Sequence, residues 1–285
     1  MAVTRSGSAV SSASDQVTAT LGTPTDGMVV ALCSLEHFAT ETIDSVDMGG
    51  QAMIQAAVTQ VGSGNHNVVS LWYILDTAIA AASSGLIQQT TSAAVDYEMV
   101  SAQVYEGVNQ TGGATTLIAT NSYASAASPA NPALCDLTEV TDGLVCAAYS
   151  YESVGSVSWN AAMNELTDVT TASTTSSMAD RLSTTSANVD IEATAVATPS
   201  RVVMVSAAFA PAGSTSLTQV THRVYDDGTE SGSTALEAQG ADLTIATLTP
   251  FHVRGLLQAV GTLGAQTFKL RVLRNGDAST EWEDV

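Results

Sequence analysis

Positive charge is the scarcest thing in this sequence. Lysine occurs once, at Lys269, and the whole basic set is eight residues against 28 acidic ones, a formal net charge of −20. Such a chain repels nucleic-acid phosphates, so no direct DNA or RNA binding is expected. It repels anionic membranes as well. Charge of either sign is thin, at 13% of residues, about half the usual share. The surface is therefore expected to be covered by Ser, Thr, Asn, Gln and Gly, as in β-rich proteins that work outside a cell. Aromatics are 5%, so the core has to be built largely from Ala and Val. The three cysteines, Cys33, Cys135 and Cys146, are an odd count without metal spacing. Reduced thiols acting as small hydrophobes are expected, and no disulfide framework. No run approaches about 18 uninterrupted apolar residues, so no membrane insertion is expected. Met1–Gly7 lacks the apolar stretch of a secretory signal, which points to synthesis in a cytoplasm.

What the chain does have is length and β pattern. Its 285 residues, 45% of them hydrophobic, suffice for one large β-sandwich and a smaller unit. The charge is uneven. Residues 1–212 hold nineteen acids against Arg5, Arg181 and Arg201, while residues 213–285 hold nine acids against five bases. Strong like charge favours solubility, and a salty medium screens its self-repulsion.

The organising stretch is Thr25-Asp26-Gly27 opening onto Met28–Glu36 (MVVALCSLE). A turn followed by a continuous apolar run reads as a strand buried on both faces or a short buried helix, and the valines favour the strand. The pattern returns at Thr141-Asp142-Gly143 and Leu144–Glu152, again ending in Glu. Gln16–Leu21, before the first copy, and Thr42–Met48, after it, alternate as half-buried strands. Val68–Leu75 is the most β-prone run, Asp76–Ser84 suits a turn or two of helix, and Leu86–Thr91 and Tyr97–Val108 read as strands. Ala52–Val61 fits strand or helix equally. Residues 1–15 read as an arm or an edge. In the second half, Val157–Trp159 matches the Ile43–Met48 strand, Val189–Val196 alternates, and Arg201–Phe209 closes the half as Glu98–Val108 closed the first. The Ser/Thr-rich stretch 169–187 reads as a long loop or weak edge strands. The offsets are 116 residues at the Asp-Gly turns and 104 between Tyr105 and Phe209, a loose pseudo-repeat. Two such halves fit two sheets of one sandwich or two small sandwiches, and one sandwich is favoured.

Pro211–Ser214 reads as a linker. Beyond it Leu217–Tyr225, Phe251–Val260 and Thr267–Leu273 alternate, and Asn275-Gly276 carries a hairpin signal. Residues 213–285 are thus expected to form a small β domain.

Four segments of the first part, Asp26–Leu35, Leu71–Ile74, Tyr105–Val108 and Asp142–Tyr149, resemble bacteriophage and prophage structural proteins of the tail, fibre or capsid surface. Those carry a concanavalin-like or jelly-roll sandwich. The C-terminal part is similar to a short module of the same proteins, on Thr218-Gln219, Arg223–Glu230, Phe268–Arg271 and Glu281-Trp282, although Val272-Leu273 is less polar than that pattern. The resemblance implies an all-β, jelly-roll/concanavalin-like β-sandwich over 1–212 and an assembly or attachment domain over 213–285. It implies a virion part, made in the host cytoplasm, with other virion proteins and its own copies as partners.

Chemistry-bearing residues are scattered. His37, His66, His222 and His252 have no nucleophile elbow or H-E-x-x-H. Asp226, Asp227 and Glu230 offer oxygens for Ca²⁺ but lack the spacing of a calcium loop, so an acidic turn is the better reading. Glu41, Asp44 and Asp47 cannot all share one face of a strand. Trp72, Tyr73 and Trp159 suit sugar stacking but in apolar runs are better read as core. Asn109-Gln110-Thr111 matches a glycosylation sequon, which has no meaning without a secretory route. No catalytic, cofactor or metal residue is therefore assigned. A non-enzymatic, homo-oligomeric virion structural protein is expected. A virion adhesin for host-surface glycan is the alternative, and a glycan-degrading enzyme comes last for want of paired carboxylates.

Overall fold

A computed structural model of the chain describes residues 2–22, 24–62, 66–126 and 129–213, and beyond these the backbone of four further strands. The chain divides into two compact units, Met1–Ala212 and Gly213–Val285.

The first half of the larger unit contains β1 (Thr4–Ser12), β2 (Gln16–Thr18), β3 (Met28–His37), β4 (Ile43–Met48), β5 (Gln51–Ala52), β6 (Ile54–Val61), β7 (His66–Leu75), the helix α1 (Asp76–Ala81), β8 (Leu86–Thr91) and β9 (Tyr97–Glu106). The second half contains a 3₁₀ turn (Gly113–Thr115), β10 (Leu117–Ser125), β11 (Ala133–Leu134), β12 (Leu137–Thr138), β13 (Leu144–Glu152), β14 (Val157–Trp159), β15 (Asn164–Thr170), β16 (Thr174–Leu182), β17 (Asn188–Val189), β18 (Glu192–Ala195) and β19 (Val202–Phe209). The all-β expectation holds.

The two halves repeat one plan. The first forms a five-stranded sheet, β1-β9-β3-β7-β6, covered by β2-β8-β4-β5. The second forms β10-β19-β13-β16-β15, covered by β11-β18-β14 and the β12-β17 pair. Register makes the repeat exact in position: Met28 pairs with Tyr105 and Leu75, as Leu144 pairs with Phe209 and Leu182. The 116- and 104-residue offsets seen in the sequence are these pairings.

The five-stranded sheets stack on each other, and alternate side chains of one strand serve different cores. Met28, Val30 and Leu32 of β3 join Leu144, Cys146 and Ala148 of β13 between the halves. Val29, Ala31, Cys33 and Leu35 point the other way, toward Val46, Met48 and Ile87. Val145, Ala147 and Tyr149 likewise face Ile191 and Ala193. Each half is therefore its own two-sheet sandwich, and the two lie back to back. This corrects the preference for one sandwich. A strand hydrophobic on both faces needs a sheet on each side, and because β3 and β13 lie in different sheets that cover each other, four layers result.

A second correction concerns residues 169–187. β16 lies between β13 and β15 and is almost wholly buried. Its hydroxyls are satisfied inside: Ser176 Oγ lies 2.8 Å from Ser34 Oγ, Ser177 donates to the Thr167 carbonyl at 3.0 Å, and Thr175 donates to the Ser153 carbonyl at 2.9 Å. A polar strand can be central when each hydroxyl finds a partner. Strands β10 to β12 fall in a stretch without a strand signal. The ambiguous Ala52–Val61 is strand, and α1 occupies the short helix expected after Leu75.

The two Asp-Gly turns are alike. Asp26 and Asp142 both adopt positive φ, 51° and 62°, a conformation Asp tolerates better than most residues. A Cβ at Gly143 would lie 2.7 Å from the Phe209 carbonyl oxygen and 2.9 Å from that of Val140, so no side chain fits.

In the smaller unit, β20 (Ser216–Asp226) pairs antiparallel with β21 (Phe251–Val260), and β22 (Arg271–Val272) with β23 (Glu283–Asp284). The expected strands at 217–225 and 251–260 are present. Of Thr267–Leu273 only Arg271–Val272 is described, as β22, and the Asn275-Gly276 signal lies outside the described residues.

Candidate functional site

The equivalent glutamates that end the two long runs, Glu36 of β3 and Glu152 of β13, meet at one hollow of about 250 Å³, lined also by His37, Phe38, Asp96 and Ser173. Glu36 is buried. Its Oε2 accepts a hydrogen bond from Ser173 Oγ at 2.5 Å and another from Thr174 Oγ1, so the β15–β16 turn of the second half closes onto the first. Burial pushes the Glu36 carboxyl above its ordinary value; the Ser173 hydrogen bond opposes this, Glu152 and Asp96 add to it, and Arg201 opposes it. Glu152 accepts from Ser200 Oγ at 2.6 Å and from Arg201. His37 Nδ1 lies 3.0 Å from Asp96 Oδ2. Phe38 stands at the rim, 70% exposed. The hollow therefore offers an aromatic face beside carboxylates that already hold protein partners. That suits hydrogen bonding to a hydroxyl-rich ligand better than proton transfer.

Of the singled-out residues whose side chains are described, only His37 reaches this hollow. His66 is buried on β7 beside it in register, its Nδ1 without a partner among the described residues, and burial lowers its pKa. Glu41, Asp44 and Asp47 serve separate local bonds, to Ser92 Oγ (2.5 Å), Thr42 Oγ1 (2.7 Å) and the Gly50 amide (3.0 Å). Trp72 and Tyr73 are core residues, and the Trp72 and Trp159 indoles donate to Ser70 and Ser177, each at 2.8 Å. Gln110 of the sequon ties the Asp76 amide to the Gly27 carbonyl. His222, Asp226 and His252 lie on β20 and β21, where only the backbone is described, and Asp227 and Glu230 lie outside the described residues. All three cysteines are buried and free, and burial pushes the Cys135 thiol up to about 11 and Cys33 higher still. Among the described residues no group of three or more His, Cys, Asp or Glu is placed to hold a metal, and no helix is long and apolar enough to cross a membrane.

Asp96, Phe38 and Arg201 were not legible as site residues. The one available signal was the repeat itself, since the 116-residue offset maps Glu36 onto Glu152.

The fold defines an acidic all-β protein whose larger unit is two stacked sandwiches. No family model, curated protein or solved structure matches the chain.

Proposed function

We propose that the protein is a non-enzymatic structural component of a bacteriophage virion, on the capsid or tail surface, assembling through protein–protein contacts. The observation that carries this reading is the use of positive charge. All three arginines of residues 1–212 are held in internal ion pairs, Arg5 with Asp180, Arg181 with Glu139 and Arg201 with Glu152. The outward field of this unit is therefore dominated by carboxylates. That suits an exposed, non-aggregating particle surface. It leaves residues 213–285, with five bases among nine acids, as the better-matched part for attachment to other virion proteins. The test is immunogold electron microscopy of particles purified from a lysed producing culture, with an antibody against the chain. Label on capsid or tail supports the reading; chain found only in the soluble fraction overturns it.

The exposed Phe38 beside Asp96 and Glu36 favours a second reading, a virion adhesin for host-surface glycan. Binding on a glycan array that Phe38→Ala abolishes would move this reading ahead.

A further inference from the structure

The pseudo-repeat gives each edge of the large sheets an internal control. β6 and β15 occupy equivalent edges and carry a bulge at the same place, after Gln55 and after Glu165. Register sets Ile54 against Asn164, Gln55 against Glu165 and Val58 against Asp168, because each pair faces an equivalent residue of β7 or β16. β15 thus carries two carboxylates along its free edge, a usual protection against edge-to-edge pairing. β6 carries none. It lies against β10 across the layers, and β10 is an uncharged edge too. The whole stretches 48–75 and 107–135 contain no Asp, Glu, Lys or Arg. On this side Ile54, Val58 and Ile118 are 48%, 46% and 40% exposed. A groove of about 460 Å³ runs beside β6, lined by Thr42, Ile43, Gln55, Val58 and Gln60.

We propose that this β6/β10 side is a self-association surface, and that a second copy of this chain occupies it with its own β6 paired along the free edge. Charge selects that occupant. Residues 1–212 hold nineteen acids, and their three arginines are engaged internally, so two copies repel wherever carboxylates face each other. The β6/β10 side avoids this cost. A basic partner would find no carboxylate on β6 or β10 to recognise. An uncharged edge meeting itself about a two-fold axis is self-complementary, and apolar side chains on both copies gain from leaving water. The surface is built from residues 1–212, so together with attachment through residues 213–285, as proposed above, the chain would hold two assembly contacts. Salt screens the remaining repulsion, so this association tightens as ionic strength rises, opposite to the behaviour of a charge-paired complex.

The experiment uses the full chain with Gln55→Cys or, at the equivalent exposed position, Glu165→Cys, treated with a short bis-maleimide. The native cysteines are buried, so the unsubstituted chain is the blank. Gln55→Cys is expected to give a covalent dimer whose yield rises with salt, and Glu165→Cys is not. Equal cross-linking at the two positions, or none at Gln55→Cys, overturns the proposal. Sedimentation of Val58→Glu/Ile118→Glu is the second measurement. Like charges on the paired β6 strands, with a further carboxylate on the neighbouring β10, should weaken dimerisation at least about tenfold, and an unchanged dissociation constant overturns it.

Discussion

Two corners of the contact between the sandwiches are built from equivalent positions and filled with opposite chemistry. At one, Ile54, Tyr73, Leu117 and Phe209 come together, and Tyr73 meets Phe209 edge-on with ring centroids 5.4 Å apart. At the other, the equivalent positions are Asn164, Asp180, Arg5 and Tyr105. There the Asp180 carboxylate, fully buried, accepts from Arg5 Nε at 2.7 Å and Nη2 at 2.5 Å, from the Tyr105 hydroxyl at 3.0 Å and from Asn164 Nδ2 at 3.4 Å. The same strand pairings therefore tolerate either filling. The apolar corner adheres without directional demands. The ionic corner is satisfied only when all its partners are present, and it fixes how one sheet lies on the other.

Removing the acid should break this comparison most severely. Asp180→Ala leaves a half-buried guanidinium and a buried phenol without their acceptor, and unfolding in urea should show a loss of about 3 kcal/mol, the lower end for a broken buried pair. Copying the apolar corner sharpens the comparison. Arg5→Leu, Tyr105→Phe and Asp180→Tyr together should restore wild-type stability or exceed it, because apolar replacement of a buried ion pair is neutral or stabilising by about 1–4 kcal/mol. A triple variant as weak as Asp180→Ala would show that the corners are not equivalent.

The two turns provide a milder comparison. At Gly143 an added Cβ meets backbone oxygens at 2.7 and 2.9 Å; at Gly27 it meets ring carbons of Pro24 at 2.6 and 2.9 Å. A carbonyl anchored in β19 and one held by the turn's own hydrogen bond have less room to yield than a proline ring in a loop. Gly143→Ala should therefore cost about 1–3 kcal/mol, and Gly27→Ala less. Thermal melts giving the reverse order would reject that explanation.

Much of this frame was legible in the sequence. β3, β7, β9, β13 and β19 are long apolar runs, and a strand buried on both faces has to read that way. Their offsets carry the repeat in the sequence itself. β16 was not legible, because TTSSMAD has the composition of a loop and becomes core only when Ser34, Ser153 and Thr167 supply its partners. The stacking of two sandwiches was missed for a related reason. Period-2 alternation tells which residues share a face, but a run apolar on both faces does not say which sheet covers each. The hollow at Glu36 needed the tertiary fold, since Asp96, Ser173 and Arg201 come from three separate places in the chain.

That hollow sets the last comparison, between two glutamates at one repeat position. Glu152 shares its carboxylate with Arg201, while Glu36 has only hydroxyl donors and is buried. Burial first, then the neighbouring Glu152 and Asp96, hold the Glu36 carboxyl above its ordinary value against the pull of Ser173 and Arg201. A carboxyl raised in the folded state keeps its proton at a pH where the unfolded chain has already released it. Folding is thus favoured on the acid side, and stability falls as pH rises from the ordinary carboxylate value through the raised one. Glu139 works in the opposite sense. Burial alone would raise it, but hydrogen bonds from Arg181 and Thr185 hold it below its ordinary value, so its contribution is lost as pH falls. Glu36→Gln keeps an acceptor for Ser173 and removes the proton equilibrium. Its melting temperature should therefore drop less than wild type between pH 5 and pH 8, a range of about three units above the ordinary carboxylate value. Glu152→Gln should reduce the drop only in part, because burial, the larger cause at Glu36, remains. If Glu36→Gln melts with the wild-type pH slope, the buried glutamate is not the titrating group and the two repeat positions are electrostatically alike.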